Sequence, residues 1–231
     1  MTITIHRDFA QGDDEWRAIR NGKLTASEFR LIISPKTLKP ADNEKSRAHA
    51  FELAAQRING PRLDDVPFQS ADMSRGHEEE EYARDLYIEH HANVEQVGFI
   101  TREFDGLTLG YSPDGLVGDT GAIECKSRVA KHQVATAHEW HHNRVIPEDY
   151  YLQVHAAMLI SGRDWIDLLS YSNGMAMLTM RVDRDDTVLE KMLDAAIQFE
   201  AKVVAAIESY DAVLKTGAAI PTKYRERDII V

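Results

Sequence analysis

The stretch Ser112–Ser127, SPDGLVGDTGAIECKS, places Asp114, Glu124 and Lys126 close together along the chain, among residues that read as strand. Side chains alternate faces along a strand. In AIECKS that puts Ile123 and Cys125 on one face and Glu124 and Lys126 on the other. The apolar pair can pack into a core, which leaves the acid and the lysine side by side at the opposite surface. If DGLVG and AIECKS pair through the turn between Gly118 and Gly121, Asp114 approaches Glu124. Neighbouring carboxylates repel and lose solvation, and a divalent cation resolves both problems. Mg2+ takes one or two carboxylates and fills its shell with water and phosphate oxygens, so an acid pair without His or Cys suits it. A lysine beside that pair can hold or polarise a water for attack on a phosphate. The same spacing also suits a solvated hairpin with a Glu–Lys pair.

Two helical positions bear on this reading. In SADMSRGHEEEEYARDLYIEHHAN, with Ser70 as the expected cap, Met73, Gly76, Glu80, Ala83 and Tyr87 recur at spacings of three and four. That is one helical stripe. It turns Glu80 toward the core and lets Glu78, Glu79 and Glu81 face water, and a carboxylate facing the core needs a partner or a metal. A slightly rotated helix would instead make the acidic run a solvated one. Further on, Tyr150, Gln153, Ala157 and Ile160 form a stripe in a helix opened by Pro147, where Gln153 is a ligand-side amide or a satisfied core amide.

These residues need elements to position them. Thr25 and Glu28 have capping-box spacing at the start of TASEFRLIIS. A helix opened by Ser46 runs to about Ile58, with Phe51, Ala54, Ala55 and Ile58 on one side. Strands are expected in VEQVGFITREF, LTLGYS, DGLVGD and AIECKS, and then in DWIDLLSYS and MAMLTMRV, the last two joined by an Asn-Gly turn. A long amphipathic helix follows from Asp185 to about Leu214, before a basic, then apolar tail. The order predicts one α/β domain, a central mixed β-sheet flanked by helices, with a core of about residues 11–182 and a C-terminal helix and tail over 183–231.

Composition narrows the function. The net charge of -11 argues against non-specific nucleic-acid binding, so a nucleic-acid role needs a local basic surface or metal ions that offset acidic ligands. The opening MTITIHRDFAQGDDEW has no secretory pattern, no apolar run approaches about 20 residues, and Cys125 is the sole cysteine. A cytoplasmic protein with no membrane association is the expectation.

A rival chemistry lies in HEWHH, which satisfies H-E-x-x-H over His138–His142. On a helix the two outer histidines would share a face, with Glu139 as base of a zinc metalloprotease. Such a site needs a third ligand, for which His155 and Glu190 are the available residues. Retained stoichiometric zinc and peptide hydrolysis would support it.

Five blocks in order, QGDDEWRAIRNGKLTASEF, RGHEEEEYA, YSPDG, IECKS and YYLQVHAAM, resemble the lambda exonuclease or YqaJ-like viral recombinase family over about Gln11–Met158. That resemblance implies a restriction-endonuclease-like PD-(D/E)xK nuclease core. It implies that Asp114, Glu124 and Glu80 bind Mg2+, for which Mn2+ can substitute, with the Cys125 backbone carbonyl as a further ligand. Lys126 would activate the attacking water, and Gln153 would match the glutamine of the following helix. Arg20 and Ser27 match residues that hold the 5′-phosphate of a DNA end, a role suited to a bidentate guanidinium and a hydroxyl near a helix start. The implied activity is removal of mononucleotides 5′ to 3′ from linear double-stranded DNA in a phage or prophage setting. The implied partners are a single-strand annealing protein and further copies of the chain, as a ring-shaped homotrimer. A ring could gather basic side chains in its channel and leave the excess negative charge outside. A site-specific endonuclease of the same fold and a non-enzymatic DNA-end binder are the alternatives, separable by cutting of closed circular DNA and by metal-dependent cleavage.

Overall fold

The computed structural model describes residues 2–61 and 71–223. In chain order the elements are β1 (Thr2–His6), α1 (Asp14–Arg20), β2 (Leu24–Thr25), a 3-10 turn (Ala26–Glu28), α2 (Phe29–Ile32), α3 (Glu44–Asn59) and α4 (Ala71–His90). Then come β3 (Phe99–Phe104), β4 (Leu107–Tyr111), β5 (Gly115–Val117), β6 (Gly121–Ser127), α5 (Ala130–Asn143) and α6 (Glu148–Ser161). β7 (Trp165–Tyr171), β8 (Leu178–Asp183) and α7 (Asp186–Leu214) complete the chain. The expected cap at Ser70 and the tail from Tyr224 onward lie outside the described residues. No helix among the described residues is long and apolar enough to cross a membrane.

The strands form two mixed four-stranded sheets where the sequence predicts one, in the orders β1-β3-β4-β2 and β5-β6-β7-β8. The break falls at Ser112–Asp114, where the chain leaves β4 and turns into β5. Gly115 begins β5 because a Cβ there would sit 2.0 Å from Val94 Cγ1. β5 pairs antiparallel with β6 in the register Gly115–Ile123, Leu116–Ala122 and Val117–Gly121, as the turn between Gly118 and Gly121 predicts. β6 pairs parallel with β7, with Glu124 beside Leu168. β5 is three residues long and β6 is seven, so β6 outruns β5 from Glu124 onward. That overhang creates a strand edge inside the fold.

Helices cover both faces of β6. Ile123 and Cys125 pack with Ala83 and Tyr87 of α4 and with Val117 and Leu169. Ala122 faces the larger core, which includes Leu152, Val154, Ala156 and Met158 of α6 and Leu189, Met192 and Phe199 of α7. The face carrying Glu124 is therefore not the open surface the sequence predicts. Glu124 lies beneath α6 and is 2% exposed.

Three further expectations are corrected. α3 buries His49, Ala50, Leu53 and Ala54, while Phe51 is 63% exposed. The helix is turned from the predicted face because His49 stacks on Phe199 of α7, with ring centroids 5.6 Å apart. On α4 it is Glu79, Ala83 and Tyr87 that face the sheet, and Glu79 rather than Glu80 is buried. The Ser127 hydroxyl donates to Glu79 Oε2 at 2.5 Å, which answers that carboxylate's need for a partner. β7 and β8 are joined by Ser172–Met177, a longer loop than the predicted Asn-Gly turn, because β8 starts only at Leu178. The capping box is present, with Glu28 Oε2 accepting from the Thr25 N–H at 2.8 Å.

α4 is locked to the sheet by a polar contact under its apolar face. The Tyr87 hydroxyl donates to Asp167 Oδ2 on β7 at 2.7 Å, and Arg181 of β8 donates to both oxygens of that buried carboxylate at 2.8 Å. Tyr87→Phe should remove a buried hydrogen bond to a charge and cost roughly 1–3 kcal/mol, read from urea unfolding. An unchanged unfolding midpoint would show that apolar packing alone holds α4.

Candidate functional site

The edge left by β6 is filled by a side chain. The Cys125 N–H, which has no β5 partner, donates to Asp114 Oδ2 at 2.5 Å. A strand residue projects its N–H and C=O to the same side, so the Cys125 carbonyl points along the same edge as Asp114. On the adjacent face, Glu124 Oε1 accepts from Lys126 Nζ at 2.8 Å and from Gln153 Nε2 of α6. Glu124 Oε2 accepts from the buried Tyr111 hydroxyl at 3.2 Å. Four of the expected residues, Asp114, Glu124, Lys126 and Gln153, are thus brought to the open end of β6.

Glu80 stands beside them on α4, half-buried, with its Oε1 accepting from Arg84 Nη1 at 3.2 Å. The same Arg84 nitrogen donates to the Asp114 carbonyl at 3.1 Å, so one guanidinium ties α4 to the Ser112–Asp114 corner. The rest of that corner is pinned by the first helix and the residues before it. Gln11 Nε2 donates to the Pro113 carbonyl at 2.7 Å. Trp16 Nε1 and Arg20 Nη1 both donate to Ser112 Oγ at 2.9 Å. Arg20 also stacks over the Trp16 ring at 4.5 Å. Arg20 is therefore bonded to the residue two positions before Asp114. Ser27 lies exposed in the 3-10 turn, with its hydroxyl 3.4 Å from that of Thr25. A cavity of about 930 Å³ opens beside Asp114 and Glu80, bounded also by Gln11, Trp16, Arg17 and Arg84.

The electrostatics follow from crowding. Burial pushes the Asp114 carboxyl well above its ordinary pKa, and the charges of Glu124 and Glu80 push it further. Lys126 and the Cys125 N–H oppose the shift without reversing it. Part of the Asp114 surface still meets solvent, but protein surrounds the carboxylate closely. Burial alone would lower the pKa of Lys126; Glu124 and Asp114 outweigh it and hold the side chain as an ammonium. Burial, with Glu124 and Asp114, keeps Tyr111 a neutral phenol and so a hydrogen-bond donor.

The donor set fits a hard divalent cation. Its acids outnumber the single lysine, its ligand atoms are oxygens, and the edge carbonyl adds another. Among the described residues no group of three or more His, Cys, Asp or Glu side chains is arranged to hold a metal. Asp114 and Glu124 stand at the centre, and Glu80 is turned to Arg84. In HEWHH, His138 and His142 do share a face of α5, with ring centroids 4.5 Å apart, but both are exposed. The proposed third ligand His155 is buried, with Nδ1 at 2.8 Å from the Tyr151 carbonyl.

Sequence reasoning gave no site role to Tyr111, Ser112, Arg84 or Tyr150 and turned Glu79 toward water. Tyr111 and Ser112 had a signal, since they directly precede Pro113 and Asp114. Arg84 had one too, four residues after Glu80 on a helix.

A mixed sheet with an acid–x–lysine strand, a second acid entering from a neighbouring turn and helices on both faces defines a PD-(D/E)xK-type fold. The chain belongs to the YqaJ-like viral recombinase family, whose model matches residues 15–164. It is similar to an alkaline exonuclease, LHK-Exo, from Laribacter hongkongensis, at 30% identity and a TM-score of 0.75, covering 90% of this chain and 100% of that one. The same enzyme in complex with dAMP matches with a TM-score of 0.71 over the same shares at 30% identity. A phage-related exonuclease from Haemophilus somnus 129PT shares the fold at 14% identity and a TM-score of 0.52, over 85% of this chain and 97% of that one. No match was found among curated proteins.

The raised carboxyl pKa has a sign that can be checked. A carboxyl whose folded pKa exceeds its unfolded value of about 3.9 favours folding most below that value, and the advantage is lost as pH rises toward the folded pKa. Asp114→Asn should therefore stabilise the metal-free protein near pH 8, by roughly 1 kcal/mol, and the gain should vanish near pH 4. Thermal melts with chelator at both pH values check it.

Proposed function

We propose that this protein is a divalent-metal-dependent exonuclease that degrades linear double-stranded DNA 5′ to 3′, releasing 5′-mononucleotides and leaving 3′ single strands. The observation that carries the reading is the meeting of Asp114, Glu124, Lys126 and Gln153 at the unpaired end of β6. The similar LHK-Exo is by name an exonuclease, and its complex contains a deoxynucleoside monophosphate, the class of product this reading requires.

Asp114, Glu124 and the Cys125 carbonyl would hold Mg2+ or Mn2+, with Glu80 as a further acid. When bound, such an ion supplies Lewis-acid polarisation of the scissile phosphate and charge compensation at the leaving 3′-oxygen. Lys126, held as an ammonium by Glu124, orients the attacking water and places positive charge beside the phosphate. Gln153 and Tyr111 each donate to a different oxygen of Glu124, fixing the plane of that carboxylate. Arg20 is tethered by a neutral hydroxyl and pairs with no carboxylate among the described residues, so its charge is available to the terminal 5′-phosphate. Ser27 would add a hydroxyl to the same phosphate. That anchor sets the cut one nucleotide from the end.

Membership of the family supports a wider reading. The whole chain of 231 residues would serve as one nuclease domain, with its core in about residues 11–182. Several copies, in a ring of three, would surround DNA in the cytoplasm of a bacterial host and hand the exposed strand to a single-strand annealing protein. A site-specific endonuclease of the same fold is the second reading, favoured by the same acid–lysine strand.

Incubation with Mg2+ and 5′-phosphorylated linear duplex should release mononucleotides, while closed circular duplex stays intact. Nicking of the circle would favour the endonuclease. Lys126→Ala should lower turnover by at least about 100-fold, the low end for a positioned catalytic group, while DNA binding persists. Mg2+ should raise the melting temperature of the natural protein but not of Asp114→Asn. Arg20→Ala should slow digestion of 5′-phosphorylated ends far more than 5′-hydroxyl ends. Equal loss on both would remove the phosphate pocket from the scheme.

A further inference from the structure

Arg128 is the next basic side chain on β6's course beyond Lys126, one residue past the strand's end, and the nuclease reading assigns it nothing. Its backbone N–H donates to the Tyr171 carbonyl at 2.7 Å, which keeps it on the β7 side of β6. Asp114 and Arg20 lie on the other side, at the edge facing β5. The guanidinium runs between α5 and α6. Nη1 donates to the Tyr150 hydroxyl at 2.6 Å, and Nη2 lies 3.5 Å from Thr136 Oγ1. Both partners are neutral, and no carboxylate among the described residues pairs with Arg128. Its Nε is buried and has no hydrogen-bond partner.

A half-buried guanidinium held by hydroxyls keeps its full charge and unused donors, the condition in which arginine recognises phosphate. The spacing ties it to the reaction centre. Lys126 Nζ and Arg128 Cζ each lie 5.2 Å from the centre of the same Tyr150 ring. One aromatic ring thus lies against both the lysine that faces the scissile phosphate and a second cation two residues further along the chain. α5 begins at Ala130, two residues after Arg128, and no side chain caps its first turn. Its N–H groups add to the attraction for an anion.

We propose that Arg128 binds a backbone phosphate of the degraded strand on the 3′ side of the bond to be cut. The proposal rests on the exonuclease reading for its direction. Arg20 takes the terminal 5′-phosphate on one flank of β6, so the strand that remains must leave across Lys126 and Tyr150 toward Arg128. The two arginines then hold the strand on either side of the acid centre. Tyr150 positions Arg128 through its hydroxyl and Lys126 through its ring.

Arg128→Gln keeps a hydrogen-bonding group at Tyr150 and removes the charge. The measurement is duplex affinity against salt in the Lys126→Ala protein, with and without Arg128→Gln. Loss of one phosphate contact should weaken binding at low salt severalfold and lower the slope of log K against log salt by about 0.9. The loss should be equal on 5′-phosphorylated and 5′-hydroxyl ends, unlike the effect of Arg20→Ala. An unchanged slope overturns the proposal, and so does a loss confined to 5′-phosphorylated ends. If the Gln variant fails to fold, protection of Arg128 from an arginine-specific dicarbonyl reagent is read in the Lys126→Ala protein. Duplex DNA should reduce labelling, and equal labelling with and without DNA overturns the assignment. Absence of mononucleotide release by the natural protein sinks the exonuclease reading by a separate readout.

Discussion

Negative charge crowded at the end of a buried strand is the constraint on which the site depends. Glu124 is held under α6, and Asp114 is drawn to the same strand by the Cys125 N–H. Neither position follows from a drive to bury charge, since burial disfavours the ionised form of Asp114. The arrangement persists because both oxygens of Glu124 and one oxygen of Asp114 are given donors. Tyr111, Lys126 and Gln153 serve Glu124, and the backbone serves Asp114. Repulsion stored between fixed carboxylates would become affinity for a cation bound between them, so a cluster that destabilises the empty fold is suited to hold one.

The rigidity needed for this comes from ordinary packing around the acids. The three-residue β5 stops short and leaves the Cys125 amide and carbonyl unpaired by backbone. Gly115 permits the close approach of Val94 where the chain enters β5. Ser112, Pro113 and Asp114 are gripped from α1, from Gln11 and from Arg84 of α4. α4 is in turn seated by Ala83 and Tyr87 and by the Tyr87–Asp167–Arg181 contact. Motion in any of these would separate the two carboxylates before it disturbed the distant core.

An overall charge of -11 is compatible with the proposed DNA substrate when cations are used selectively. Among the described residues several surface arginines sit in ion pairs, such as Arg7 with Glu95 and Arg184 with Asp186. Arg20 and Arg128 are instead held by hydroxyls of Ser112, Tyr150 and Thr136. A guanidinium already neutralised by a carboxylate gains little from a phosphate, whereas one fixed by neutral donors and acceptors is preorganised for it.

The local chemistry was legible in the sequence because it obeys short periods. Strand alternation separated Ile123 and Cys125 from Glu124 and Lys126, the glycine-bounded turn gave the pairing of β5 with β6, and Thr25 and Glu28 announced their capping box. The order of the five blocks indicated the family. Facing was less legible wherever long-range contacts turned an element. α4 presents Glu79 to the sheet because Ser127 receives it, and α3 turns Phe51 outward because His49 stacks on Phe199. The depth of Glu124, the split into two sheets, and the grip of Tyr111, Arg84 and Tyr150 on the centre were decided by tertiary structure. They join residues tens of positions apart, and no period in a sequence encodes which distant donor will satisfy a buried charge.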